Sequence, residues 1–277
     1  MKRILFLIVC AFLIPTTFAD VKIPDNNDQL IQTAKDGNSS AVQTLLAAGA
    51  DVNTKNNDGW TALMFEAQNG HTEVVKSLLE KGADVNAKNK NGGTALMAAV
   101  ANGHTETVKL LVEKGADINA RDTSHGATAL LWAVGMSQKE IVKSLLENGA
   151  DANAGDNNDV TALWVAAEKG DTEIVRLLLE KGADVDARDA TYGNMPLILA
   201  AKNSHTDTVK LLLEKGADVN AKNKDGITAL MWLAGQTQIE KLLLKKGIDV
   251  KAGDTNDIAA RIQRAHGGRQ VFAGKGY

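Results

Sequence analysis

The stretch LLEKGADVNAKNKNGGTALM, Leu78 to Met97, decides how this chain is read, because close copies of it recur almost from end to end. Near copies of its opening Leu-Leu-Glu-Lys-Gly-Ala-Asp-Val start at Leu111, Leu178 and Leu212. The turn glycines Gly49, Gly82, Gly115, Gly149, Gly182, Gly216 and Gly247 step by 33, 33, 34, 33, 34 and 31 residues. A second column, Thr61, Thr94, Thr128, Thr161, Met195 and Thr228, steps by 33, 34, 33, 34 and 33. Two independent columns keep one rhythm, and a fixed period of this size is the signature of a stacked repeat rather than of one folded core.

Each unit reads as a helix, a tight break, a second helix and a projecting finger. Thr94 is placed to cap the first helix, and Ala95-Leu96-Met97-Ala98-Ala99 makes that helix short and narrow enough for close stacking. Asn102-Gly103-His104 interrupts it. The second helix carries Glu106 in its first turn, shows Val108, Leu111 and Val112 as an apolar stripe, and ends at Gly115, where a left-handed residue is wanted. Asp117-Ile118-Asn119-Ala120 then leads to the next finger. No unit can bury its apolar face alone, so the ends need polar caps. At the N-terminus a helix pair lacks a finger, with Leu30 one period before Leu63; at the C-terminus Asp257 to His266 reads as a shortened, more polar last helix.

Asp-Gly-x-Thr-Ala-Leu at Asp58 to Leu63 and Asp225 to Leu230, Asn-Gly-His at Asn69 to His71 and Asn102 to His104, and Gly-Ala-Asp-Val/Ile-Asn/Asp after the second helices carry a resemblance to the ankyrin repeat family. It spans about Asp28 to His266. The resemblance implies an all-α repeat solenoid of helix-turn-helix units with β-hairpin fingers, about 33 residues each, whose fingertips and inner helices form a concave surface that binds other proteins. The family's Thr-Pro-Leu-His is altered throughout: Met64, Met97, Leu131, Trp164, Ile198 and Met231 replace the histidine that ties fingers together, so this column is expected to stack as an apolar spine and to leave finger rigidity in question. Asp159 replaces a finger glycine and the sixth unit is short near Gly235-Gln236, so both loops are expected to deviate.

The organisation expected is a signal peptide at 1–19, a linker at 20–27, a repeat domain at 28–266 with capping repeats at both ends, and a flexible tail at 267–277. Lys2 and Arg3, the apolar run Ile4 to Ile14, and Thr17-Phe18-Ala19 give the layout of a cleavable leader. The run is about half of the roughly 20 residues a membrane span requires. Export to the periplasm, or alternatively secretion outside the cell, follows, with no stable membrane insertion after cleavage. Cys10 is the only cysteine and leaves with the leader, which removes disulfides and thiolate chemistry. The full chain carries a formal charge of −3, without the basic excess that nucleic acid demands.

Candidate chemistry is sparse. His71, His104 and His205 share one loop position in separated units, and units about 10 Å apart cannot converge on a metal at about 2 Å; each reads as a loop histidine bonded to backbone. Glu73, Glu106, Glu140, Glu173 and Asp207 open second helices, and Asp84, Asp117, Asp151, Asp184 and Asp218 sit in turns, so none stands out as a tuned acid or base. Gly92-Gly93 is a finger turn, and no nucleophile elbow is present. No cofactor is expected.

What remains is binding, at the positions where units differ. On the fingers these are Asn57, Asp58, Trp60, Lys90, Asn91, His125, Val160, Tyr192, Lys224, Asp225 and Ile227; at the inner helix ends they are Gln68, Met136 and Lys169. Trp60 and Tyr192 are the expected anchors, because exposed aromatics bury much area at little entropic cost. The opposing reading lays Trp60 flat on a neighbouring finger. Trp132, Trp164 and Trp232 read mainly as core, the first and last at the groove's border. The expected role is a monomeric, non-enzymatic scaffold for a protein partner; the alternatives are an exported effector acting on host proteins and a small-ligand or enzymatic module.

Overall fold

The computed structural model describes residues 26–232. The expected leader, most of the expected linker, the loop near Gly235-Gln236, the shortened last helix expected at Asp257 to His266 and the expected tail lie outside the described residues.

Thirteen helices occur among the described residues, six pairs and the start of a seventh. The pairs are α1 (Asn26–Lys35) with α2 (Ser39–Ala47), α3 (Ala62–Asn69) with α4 (Thr72–Glu80), and α5 (Ala95–Ala101) with α6 (Thr105–Glu113). They continue as α7 (Ala129–Gly135) with α8 (Lys139–Glu147), α9 (Ala162–Lys169) with α10 (Thr172–Glu180), and α11 (Pro196–Lys202) with α12 (Thr206–Glu214), before α13 (Ala229–Trp232). Odd-numbered helices pack each on the next in one layer, and even-numbered helices do so in a second. The first helix starts two residues ahead of Asp28.

Local chemistry sets where the helices begin. The hydroxyls of Thr61, Thr94, Thr128 and Thr161 each accept the backbone N–H three residues on, at 3.3 Å, satisfying an orphan donor worth about 1 kcal/mol. Met195 cannot do this, and α11 instead begins with Pro196, whose missing N–H removes one orphan. One leucine per unit, Leu63, Leu96, Leu130, Leu163 and Leu197, is buried between the layers, each contributing about 1.5–3 kcal/mol of transfer free energy. The spine forms as expected from the sequence: Met64, Met97, Leu131 and Ile198 are buried, and Trp164 and Met231 are half-buried.

Two ladders join consecutive units. In the turns, Asn53 accepts from the Asp84 N–H at 2.8 Å and donates to the Gly82 carbonyl at 3.1 Å; Asn86, Asn119 and Asn153 repeat both bonds one unit further each time. Asp186 takes the next place and accepts from the Asp218 N–H at 3.0 Å, but a carboxylate has no N–H to offer Gly216. Asp186→Asn should therefore raise stability by about 0.5–1.5 kcal/mol, read as a higher urea midpoint; no change would mean that the Gly216 carbonyl is already satisfied by solvent.

The second ladder joins the fingers, one backbone bond per junction: Lys90 N–H to the Asp58 carbonyl, Thr123 to Asn91, Asn157 to His125, Ala190 to Asn158 and Lys224 to Tyr192, at 2.7–2.9 Å. Within fingers, pairing reduces to single bridges such as Lys55 with Thr61. The fingers are thus tied to each other without the histidine column. Asp159 keeps its loop in the left-handed conformation of the glycine it replaces, with φ of 57°, rather than deviating.

Candidate functional site

The fingertip candidates fall on one edge of the array. Asn57, Asp58, Lys90, Asn91, His125, Lys224 and Asp225 are exposed, whereas Val160 and Ile227 are half-buried. Several are also structural, since Asp58, Asn91, His125 and Tyr192 lend their carbonyls to the finger ladder. The Lys224 ammonium additionally donates to the Ala190 carbonyl. Tyr192 is 49% exposed, at the tip of a finger organised by Asp189, whose carboxylate accepts from the N–H groups of Thr191, Tyr192 and Asn194.

Trp60 is a different case. Its indole is half-buried and stacks on Phe65 of the following helix, with centroids 4.9 Å apart and planes 29° apart. It lies flat, though on its own unit rather than on a neighbouring finger.

On the odd-helix layer, Gln68 is half-buried and its carbonyl accepts from His104 Nε2 at 2.9 Å. Lys169 is exposed and donates to the Gly135 carbonyl at 2.5 Å. Met136 is 42% exposed, and its sulfur accepts from Gln138. Trp132 stands at the border of the odd-helix face rather than in the core, 38% exposed. The reason is the size of its neighbours, because the equivalent residues in the flanking units are Ala98 and Val165, too small to cover an indole. Trp164 and Trp232 are half-buried; Trp164 Nε1 lies 3.4 Å from the Asp189 carboxylate and Lys202 stands 5.5 Å over the Trp232 ring.

One titratable site was not legible as such. Glu66 on α3 is fully buried, with Oε2 2.6 Å from His71 Nδ1, while Oε1 is buried without a hydrogen-bond partner. Burial pushes its carboxyl above the ordinary value of 4.5, against the opposing pull of His71 and Ser39. Its column holds Ala99, Ala133, Ala166 and Ala200 in the next four units, and a carboxylate beside that run of alanines is the sequence signal that marks it. Ser39, His71 and Glu66 bring together the residue types of a hydrolytic triad. Their geometry is not that of one: Ser39 Oγ and Glu66 Oε2 lie at 3.1 and 2.6 Å from the same ring nitrogen, Nδ1, whereas a relay requires opposite nitrogens.

His104 and His205 are held by backbone, each through Nε2 donating to a carbonyl of the preceding unit at 2.9 Å. An open cleft of about 410 Å³ lies over Ser137, Lys139 and the start of α10, but its polar groups pair with one another. Ser137 donates to Asp171 at 2.6 Å, and Lys139 bonds Glu173, raising the lysine pKa and lowering that of the carboxylate. Among the described residues no three His, Cys, Asp or Glu side chains gather as a metal would require, and no helix is long and apolar enough to cross a membrane.

The family model for ankyrin repeats matches three times, at residues 30–122, 121–189 and 186–254. The crystal structure of the human ASB11 ankyrin repeat domain superposes with a TM-score of 0.69 at 31% sequence identity, over 80% of this chain and 99% of that one. No curated protein sequence matches the chain. With the period, the two helix layers and the tied fingers in agreement with both matches, the chain belongs to the ankyrin repeat family.

Proposed function

We propose that this chain is an exported, monomeric, non-enzymatic scaffold that holds a protein partner against its odd-helix layer and fingertips. Ankyrin repeats are a general protein–protein interaction module, and the fold is typically non-catalytic. The observation that carries the reading is where the apolar surface lies. The large hydrophobics exposed among the described residues are Trp132, Met136 and Tyr192, one on an odd helix, one capping it and one on a fingertip. The other face is built for water: each of α4, α6, α8, α10 and α12, taken with the residue capping its C-terminus, carries two basic and two acidic side chains. A surface whose exposed large apolar groups gather on one side, with the other evenly charged, is what a one-sided binding module requires.

The partner is sought by pull-down from the envelope fraction with the chain from Asp20 onward as bait. Trp132→Ala with Tyr192→Ala should release a captured partner while lowering the thermal melt far less than loss of a buried residue such as Leu130 would, since Trp132 is 38% and Tyr192 49% exposed. Trp60 is not used as the probe, because its removal would also undo the stack on Phe65. Retention by the double variant equal to that of the parent would refute the anchor assignment. Export is tested by fractionation: a shortened product in the periplasm supports it, and full-length protein in the cytoplasm removes it.

A further inference from the structure

The place at the end of the odd-numbered helices is polar in every described pair but one. Asp36, Asn69, Asn102, Lys169 and Asn203 occupy it in the other five pairs, and all are exposed. Met136 is the exception, a thioether 42% exposed where the others present a carboxylate, an amide or an ammonium. The remaining methionines among the described residues are enclosed: Met64, Met97 and Met195 are buried and Met231 is half-buried. No cysteine lies among the described residues, so no thiol there competes for an oxidant. The fold also pairs polar groups at this place. Asn69 donates to the Ala34 carbonyl at 3.2 Å, Lys169 to the Gly135 carbonyl at 2.5 Å and Asn203 to the Glu168 carbonyl at 2.9 Å. At Met136 a donor already faces the sulfur, Gln138 Nε2 at 3.5 Å, although a thioether is only a weak acceptor.

We infer that Met136 is a reversible oxidation site, the methionine of the array that peroxide reaches first and the one whose oxidation the fold absorbs. In that step a sulfur lone pair attacks one oxygen of hydrogen peroxide. The S–O bond forms as the O–O bond breaks, the proton on the transferred oxygen passes to the departing hydroxide, and water leaves. Sulfur gives up two electrons and the peroxide gains them. The product is a sulfoxide, polar where the thioether was apolar. At Met64, Met97 or Met195 the new oxygen would be buried within the packed layers, where a polar group without a hydrogen bond is costly. At Met136 it meets water and the waiting N–H of Gln138. This chemistry does not depend on the scaffold reading; where that reading holds, oxidation falls on the layer that carries Trp132 and removes part of its exposed apolar surface.

The test is timed exposure of the full chain to hydrogen peroxide, quenched with free methionine, with the sulfoxide at each methionine measured by peptide mapping and mass spectrometry. Met136 should oxidise about tenfold or more faster than Met64, Met97 and Met195, the order that exposure sets. Chain oxidised at Met136 alone should melt near the parent, as should Met136→Gln, which puts a polar group in the same place. Met97→Gln, the buried counterpart, should melt lower. Methionine sulfoxide reductases of both epimer specificities, supplied with a dithiol, should return Met136 to its unoxidised mass in the folded chain. Equal rates at Met136 and the buried methionines, or a buried one first, would remove the site. Fast oxidation at Met136 with a melt as low as that of Met97→Gln would show that the fold does not absorb it. A sulfoxide that the reductases leave in place on the folded chain would overturn its reversibility.

Discussion

Gly170→Ala should cost the array about 2–4 kcal/mol, adding a left-handed backbone penalty to a steric one. Gly170 has φ of 75°, and a Cβ built on it would stand 2.4 Å from Nδ1 of His205 in the next unit. The imidazole cannot step aside freely, because its Nε2–H is donated to the Glu168 carbonyl at 2.9 Å. Gly82→Ala is the control: φ is 87°, yet nothing lies within 4 Å of the added carbon, so only the backbone term of about 1–2 kcal/mol applies. Adding His205→Ala to Gly170→Ala should return the steric part, and a double-mutant cycle by urea denaturation measures that return. Equal losses at Gly170 and Gly82, with no coupling to His205, would show that the ring is not what closes this junction.

The second large effect is one of pH. Glu66 is buried with one oxygen unpartnered, and its carboxyl titrates above the ordinary value because burial disfavours the charged form. The sign follows from proton counting. Below 4.5 both folded and unfolded chains hold the proton, and the group is neutral to stability. Above it the unfolded chain releases the proton first, so the folded state binds more protons and stability falls as pH rises, until the folded group has also ionised. Glu66→Gln removes that slope while keeping the side chain's shape. The variant should match the parent near pH 4 and exceed it near pH 8 by about 1–3 kcal/mol, the range for desolvating an unsatisfied polar group. Urea midpoints of the two chains at both pH values decide it. A constant difference across pH would mean that Glu66 is never forced to ionise in the fold.

Much of this architecture was legible because it is periodic. The threonine column announced the helix caps, and the glycine column announced the left-handed turns; each prediction was repeated in several units. What the period concealed was departure from itself. Glu66 opens no second helix and lies in no turn, so explaining the regular carboxylates said nothing about it; only comparison with Ala99, Ala133, Ala166 and Ala200 isolates it. Trp132 reads from the sequence mainly as core, with its place just after the spine putting it at the groove's border. Its exposure depends on the size of Ala98 and Val165, one period away on either side, a relation that no local window contains. Trp60 and Phe65 are similar: their stack joins a finger to a helix five residues on, and neither strand nor helix periodicity describes that contact.

The pair formed by Ser137 and Asp171 has a consequence for the order of the units. In four of the other helix pairs the place of Ser137 belongs to a glycine, Gly37, Gly70, Gly103 or Gly170, and in the sixth to Ser204; at Gly70 and Gly170 a Cβ would run into a histidine ring at 2.4–2.5 Å. Ser137 carries a Cβ, and opposite it stands Asp171, which leaves room and accepts its hydroxyl at 2.6 Å. Near-identical units invite docking out of sequence while the chain is still assembling. An array slipped by one place would set the serine against a histidine and the aspartate against a glycine with no hydroxyl to offer. The mismatch works as a label in the middle of a repetitive chain, telling the third unit which of its look-alikes is its true neighbour.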